Sequence, residues 1–234
     1  IIAQSVYYFY CYYLIEDDKR PINFSVPTGN FGDVYAGYLA KKIGLPVNKF
    51  IVATNQNDIL HRAISRGVYE IEKVAETISP SMDIQLASNF ERLIYDLNDH
   101  SDEKTIEAMK NIKENGKYLI NREKLDKINS NFLSSSINEN EILNIIKNVY
   151  SEFNMILDPH TAIGYGAFDK VNLEGSNVIL ATAHPSKFPD AIEKAIDVKS
   201  ELPNELLYIL DEKENYDIVE NNLDKIKNHI KERI

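Results

Sequence analysis

The stretch from Pro21 to Thr54 constrains the fold of this chain more than any other. "PINFSVP" (Pro21 to Pro27) is a short apolar run with the length of a buried strand. "DVYAGYLAKKIG" follows, with Val34, Tyr35, Tyr38, Leu39 and Ile43 at helical spacing, and Gly44 and Pro46 stop that helix in the usual order. "KFIVAT" (Lys49 to Thr54) is a second strand rich in β-branched residues. Strand, glycine loop, helix and strand make a βαβ unit, so the expected architecture is α/β: three layers, with a mostly parallel sheet between helices.

The loop inside that unit, "TGNFG" (Thr28 to Gly32), lies where a strand's carboxyl end meets a helix N-terminus. The first amides of a helix lack partners and its dipole is positive there. A phosphate fits such a place if no side chain blocks the amides, and Gly29 and Gly32 give that access and allow positive φ. A tight turn capped by Asp33 explains the same residues, and spacing alone leaves both readings open. The loop is neither GxGxxG nor GxxxxGK[ST], so it indicates neither a Rossmann dinucleotide site nor a P-loop.

The rest of the chain adds further strand ends. "NQNDILHRAISRG" (Asn55 to Gly67) reads as a helix whose His61, Arg62 and Arg66 either face an anion or form a solvated face. Ser88 and Glu91 have capping-box spacing ahead of an apolar helical stripe, whereas "SPSMD" (Ser79 to Asp83) is a polar loop suited to binding. Residues 98–154 are Lys-, Asn- and Glu-rich with helical periodicity and read as an inserted helical lobe. "SNVILATAHPSKFPDAIEKAI" (Ser176 to Ile196) gives a strand, a polar exit and a helix. Ligands of open parallel sheets sit at the strands' carboxyl ends, and Pro27-Thr28, Ala53-Thr54 and Thr182-Ala183-His184 are such ends. The expected organisation is a domain over 1–203 carrying the insertion, then a helical tail over 204–234.

Charge and composition narrow the class. The 234 residues carry a formal net charge of -10, which disfavours nucleic acid as a partner. The opening "IIAQSVYYFYCYYLI" has only 15 residues and five tyrosines within it, so a helix buried in a core is expected rather than a membrane span. The single cysteine, Cys11, forms no internal disulfide and fits a reducing, cytoplasmic compartment.

Taken together, "VPTGNFGDVYAGYLAKKIGLP", "FIVATNQNDILHR", "TISPSMDIQLASNFERL", "DPHTAIG" and "ATAHPSKFPDAIEKA" resemble threonine synthase of the bacterial and fungal type, in the order expected along nearly the whole chain. The resemblance implies the fold of pyridoxal-phosphate (PLP) enzymes like the tryptophan synthase β subunit (fold type II). It also implies conversion of O-phosphohomoserine and water to threonine and phosphate, by γ-elimination and then β-addition of water. Under it Gly29, Asn30, Phe31, Gly32 and Asp33 hold the cofactor phosphate, and Thr182 meets the pyridine nitrogen. Ser81, Asp83, His160 and His184 become candidates for the substrate site, and no metal is implied.

One departure matters. The family's Schiff-base lysine lies in an F-K-D motif that does not occur here, since Lys187 precedes Phe188 and Lys170 follows Asp169. The family's Ser/Thr-Gly loop for the substrate carboxylate is absent as well. Both lie upstream in the family, so the chain resembles a C-terminal portion that lacks the part with the lysine and is inactive alone. Another fold-type-II enzyme, such as a dehydratase or a cysteine-synthase-like enzyme, and a lysine-free phosphate-binding module are the alternatives.

Overall fold

The computed structural model describes residues 1–15 and 21–234. In chain order the helices and strands are α1 (Ser5–Leu14), β1 (Ile22–Pro27), α2 (Gly32–Lys42), β2 (Val47–Thr54), α3 (Ile59–Arg66) and β3 (Val68–Glu70). Then come α4 (Phe90–Leu97), α5 (Asp102–Asn115), β4 (Lys117–Leu119), α6 (Arg122–Asn129), β5 (Phe132–Ser136) and α7 (Glu139–Phe153). The last are α8 (Pro159–Val171), β6 (Ser176–Ile179), α9 (Pro189–Ile196) and α10 (Leu223–Lys231). Contacts divide the chain into two units, residues 1–200 and 201–234.

The larger unit is built on a parallel sheet in the order β5-β2-β1-β6. β1 is buried at all six positions, as a central strand covered on both faces must be, and its two polar side chains are satisfied there, Asn23 by Glu174 and Asn177 and Ser25 by the Gly164 carbonyl. Successive residues of β2 enter opposite cores. Phe50 and Val52 join Phe24, Phe31, Phe90, Phe132 and Ile64, while Ile51 and Ala53 join Ile137, Ile142, Ile146 and Ile163. Helices α2 to α4 contribute to the first core, and α7 to α9 to the second. β3 and β4 form a separate antiparallel pair.

Several expectations need correction. The segment 98–154 is not an all-helical insertion. It contains β5, which pairs in parallel with β2 and extends the main sheet. Its sequence, "FLSSS", hides the strand behind three serines, although Phe132 is fully buried. Ser88 caps nothing: α4 starts at Phe90 after Asn89, with no side-chain cap. The capping box occurs instead at α7, between Asn138 and Glu141. The tyrosine-rich opening does form a helix, but only Tyr8 in it is buried, and Tyr7, Tyr10, Tyr13 and Leu14 are exposed. Apolar residues occur all round α1, while one side alone packs on the rest of this chain. Among the described residues no helix is long and apolar enough to cross a membrane. In the smaller unit a 3₁₀ helix runs over Asn204–Asp211 and an α-helix over Leu223–Lys231, the latter capped by Asn222, and Arg233 and His229 both reach Asp217.

Candidate functional site at the carboxyl edge of the sheet

The strand order locates the crevice. From β1 the chain moves outward through β2 to β5, then returns by α7 and α8 to β6 on the other side of β1. Connections leave β1 and β6 in opposite directions, so a cleft opens between their carboxyl ends. A cavity of about 630 Å³ lies there, lined among others by Pro27 at the end of β1, Asp33 of α2, Leu180 to Thr182 after β6, and Tyr7 and Cys11 of α1. Two of the residues expected at a cofactor site, Asp33 and Thr182, thus share one cavity, and among the described residues no lysine lines it.

The loop from Thr28 to Gly32 is rigidly built. The Thr28 amide donates to Ala53 of β2, and its hydroxyl donates back to the Val26 carbonyl. The Asn30 side chain accepts from the Gly32 amide at 2.8 Å, and the Asn30 carbonyl accepts from the Asn89 amide. Phe31 is the residue preceding α2, and it takes the left-handed conformation, with φ 68°. Its ring is fully buried against Phe90, Phe132 and Tyr35. The expectation that Gly29 or Gly32 supplies positive φ is therefore wrong, because Phe31 supplies it. The glycines serve close approach instead. A Cβ on Gly29 would lie 2.7 Å from the Ser81 carbonyl oxygen, and one on Gly32 would lie 3.0 Å from Asn30 Oδ1. Asp33 does not cap α2. The amides of Gly29, Phe31, Asp33 and Val34 meet no acceptor among the described residues.

The substrate-site candidates prove diverse. Ser81 lies exposed in a 3₁₀ turn, Pro80–Met82, that abuts Gly29. Asp83 closes that turn as a hub of hydrogen bonds. Its Oδ1 accepts from Asn55 Nδ2, Asn57 Nδ2 and Thr77 Oγ1 at 2.7 to 2.9 Å, and its Oδ2 accepts from the Thr77 amide. With its lone pairs so engaged, Asp83 positions the 75–83 segment against the end of β2. His160 stands at the start of α8, buried, with Nδ1 3.1 Å from the Asp158 carboxylate and its ring beside Phe188. A carboxylate only accepts, so Nδ1 carries a proton toward Asp158, and Nε2 has no partner among the described residues. His184 is exposed, and its Nδ1 accepts from the Ser186 amide and hydroxyl. That is a turn-capping role.

The basic residues after β2 are engaged too. Arg62 is committed to Asp58, Glu72, Gln85 and the Glu70 carbonyl. His61 contacts Ser134, and burial pushes its imidazole below the ordinary value. Sequence reasoning missed the buried Asn55–Asn57–Thr77 network and Tyr8, whose hydroxyl reaches Asp33. Two asparagines within three residues of a strand's carboxyl end were the available signal for the first.

Relatives share this sequence and this architecture. A family profile described as "Threonine synthase, C-terminal" matches residues 161–230. The threonine synthase of Pseudomonas aeruginosa is 41% identical over 230 residues, covering 97% of this chain and 49% of that protein. The Saccharomyces cerevisiae threonine synthase is 37% identical over 263 residues, covering all of this chain and 51% of that protein. The crystal structure of PLP-bound threonine synthase from Brucella melitensis superposes with a TM-score of 0.91 at 39% identity, over 99% of this chain and 50% of that one. A fungal L-serine ammonia-lyase, at 10% identity and a TM-score of 0.52, shares the fold alone. The α/β architecture is that of the fold-type-II enzymes. Along its whole length, in sequence and in fold, the chain is thus a relative of the threonine synthases, and it spans about half the length of those it matches.

Proposed function

We propose that this chain is the part of a PLP-dependent threonine synthase that holds the cofactor's phosphate and ring nitrogen, acting in the cytoplasm on O-phosphohomoserine. The observation that carries the reading is the convergence of Asp33 and Thr182 on one cavity at the β1–β6 switch point. The residues fit such a group. At one end, the start of α2 offers amides without acceptors beside two glycines, a cradle that side chains would crowd. At the other, the Thr182 hydroxyl can donate to a pyridine nitrogen without forcing a charge on it.

When bound, the cofactor supplies the electron sink for carbanion chemistry next to the substrate's amino group. The chain's own residues do the holding. The loop from Gly29 to Asp33 carries the phosphate, Thr182 orients the ring, and the Asp83 hub steadies the turn under Gly29. The attaching lysine and the grip on the substrate carboxylate belong to an additional N-terminal portion, the second partner in this reading.

The test is product analysis. A longer polypeptide from the same gene, containing an F-K-D lysine, should release phosphate and threonine from O-phosphohomoserine, while this chain alone should release neither. Turnover by the isolated chain, or deamination of serine or threonine by the longer one, would overturn the assignment.

A further inference from the structure

The start of α2 has an unusual neighbour for an anion site. Asp33 is in the first helical turn and lines the cavity, and its own amide is one of those proposed to hold phosphate. The Tyr8 hydroxyl fixes it there, reaching the Asp33 carbonyl oxygen at 2.8 Å and Oδ1 at 3.1 Å. Tyr8 itself is fully buried, edge-on to Phe24 and Phe50 and packed on Gly37, so it cannot follow a retreating carboxylate. Among the described residues no lysine or arginine lines the cavity to neutralise two anions. A carboxylate and a phosphate would then share one helix end, and like charges in such a site drive one of them to bind a proton.

Resting on the phosphate-site reading above, we infer that Asp33 takes up a proton when a phosphate monoester binds, so that its carboxyl meets the phosphate as a neutral hydrogen-bond donor. Oδ1 remains the acceptor for Tyr8, and Oδ2 carries the proton. Burial already pushes the Asp33 carboxyl above its ordinary range, against the opposing effect of the Tyr8 hydrogen bond. Among the described residues the other titratable groups around it come from α1: Tyr8, which burial holds in its phenol form, and Tyr7, Tyr10 and Cys11 along the cavity. β1 and the β6 exit contribute none to the cavity wall.

The probe is pyridoxine 5′-phosphate, which carries the ring and phosphate but no aldehyde to react with surface lysines. Calorimetry on this chain, from pH 5 to 8 in buffers of different ionisation enthalpy, reads affinity and proton uptake together. The phosphate's own ionisation is common to all variants, so differences between them report Asp33. The unsubstituted chain should take up more protons on binding than Asp33→Asn, which keeps the acceptor for Tyr8. Asp33→Asn should bind more tightly at pH 8, on the order of tenfold or more, and lose that advantage toward pH 5. Tyr8→Phe removes a hydrogen bond that favours the ionised carboxyl, so it should move the pH dependence to higher pH. Equal proton uptake in the unsubstituted chain and Asp33→Asn, or an unmoved profile in Tyr8→Phe, would overturn the inference while leaving the site intact. Failure of the unsubstituted chain to bind the probe would overturn the site itself.

Discussion

Replacing Gly29 by alanine adds one carbon at the most confined point of the loop. That carbon would sit 2.7 Å from the Ser81 carbonyl oxygen, against 3.4 Å or more for an ordinary contact. One of the two backbones must move by about 0.7 Å. The Ser81 side cannot yield easily, because four hydrogen bonds to Asp83 pin its turn to Asn55, Asn57 and Thr77. The Gly29 side is pinned by Thr28 on β2 and by the buried Phe31 ring. Overpacking of this kind costs about 1–3 kcal/mol. At ~2 kcal/mol and a urea slope of about 3 kcal/mol/M, the unfolding midpoint falls by roughly 0.7 M. Gly32→Ala is the control. Its new carbon meets Asn30 Oδ1 at 3.0 Å and Asn89 Nδ2 at 3.2 Å, both ends of rotatable side chains. It should cost no more than ~1 kcal/mol, the worth of the Asn30 hydrogen bond it disturbs. Urea unfolding followed by circular dichroism compares the two. A Gly29→Ala midpoint equal to the parent's, or a larger loss in Gly32→Ala, would refute the claim that backbone crowding is what requires glycine at 29.

Other substitutions probe separate parts of the site. Asp83→Ala strips the acceptor from four donors and should destabilise the chain by at least ~3 kcal/mol, with Asp83→Asn intermediate; urea midpoints decide it. Asp33 ionises less readily in the folded chain than in the unfolded one, so the folded state binds more protons. Stability should therefore fall as pH rises from the unfolded value through the folded one, then level off, and Asp33→Asn should abolish that fall in pH-dependent urea melts. Thr182→Asp should favour a protonated ring nitrogen in bound pyridoxine 5′-phosphate, raising the pH at which its ultraviolet spectrum titrates; Thr182→Ala should weaken binding by ~1 kcal/mol without that displacement.

The sheet was legible where strands are buried on both sides. β1 and β2 announce themselves as short segments rich in apolar and β-branched residues with a glycine loop and a stopped helix between them. β5 was not legible, because its serines mimic a loop and its strand character comes from pairing with β2. The cavity's position followed from the rule for strand ends, yet which residues share it depends on long-range topology. Thr182 and Asp33 are 149 positions apart in the chain and meet only because β6 returns beside β1. Asp83 reads as a binding group in a polar loop, and only its hydrogen bonds reveal a scaffold role. The exposed side of α1 was misjudged for a related reason: composition indicates apolar surface, but not whether this chain supplies what covers it.

Phe31 is the least expected residue in the loop, and it governs how binding proceeds. A bulky side chain in left-handed backbone costs about 1–2 kcal/mol, and the aromatic cluster around its ring offsets that. The direction of the α2 amides is therefore set when the core condenses, before any ligand arrives. Association then has little loop entropy to overcome, and the tightness of the site is determined by the packing of Phe31, Phe90 and Phe132 beneath it.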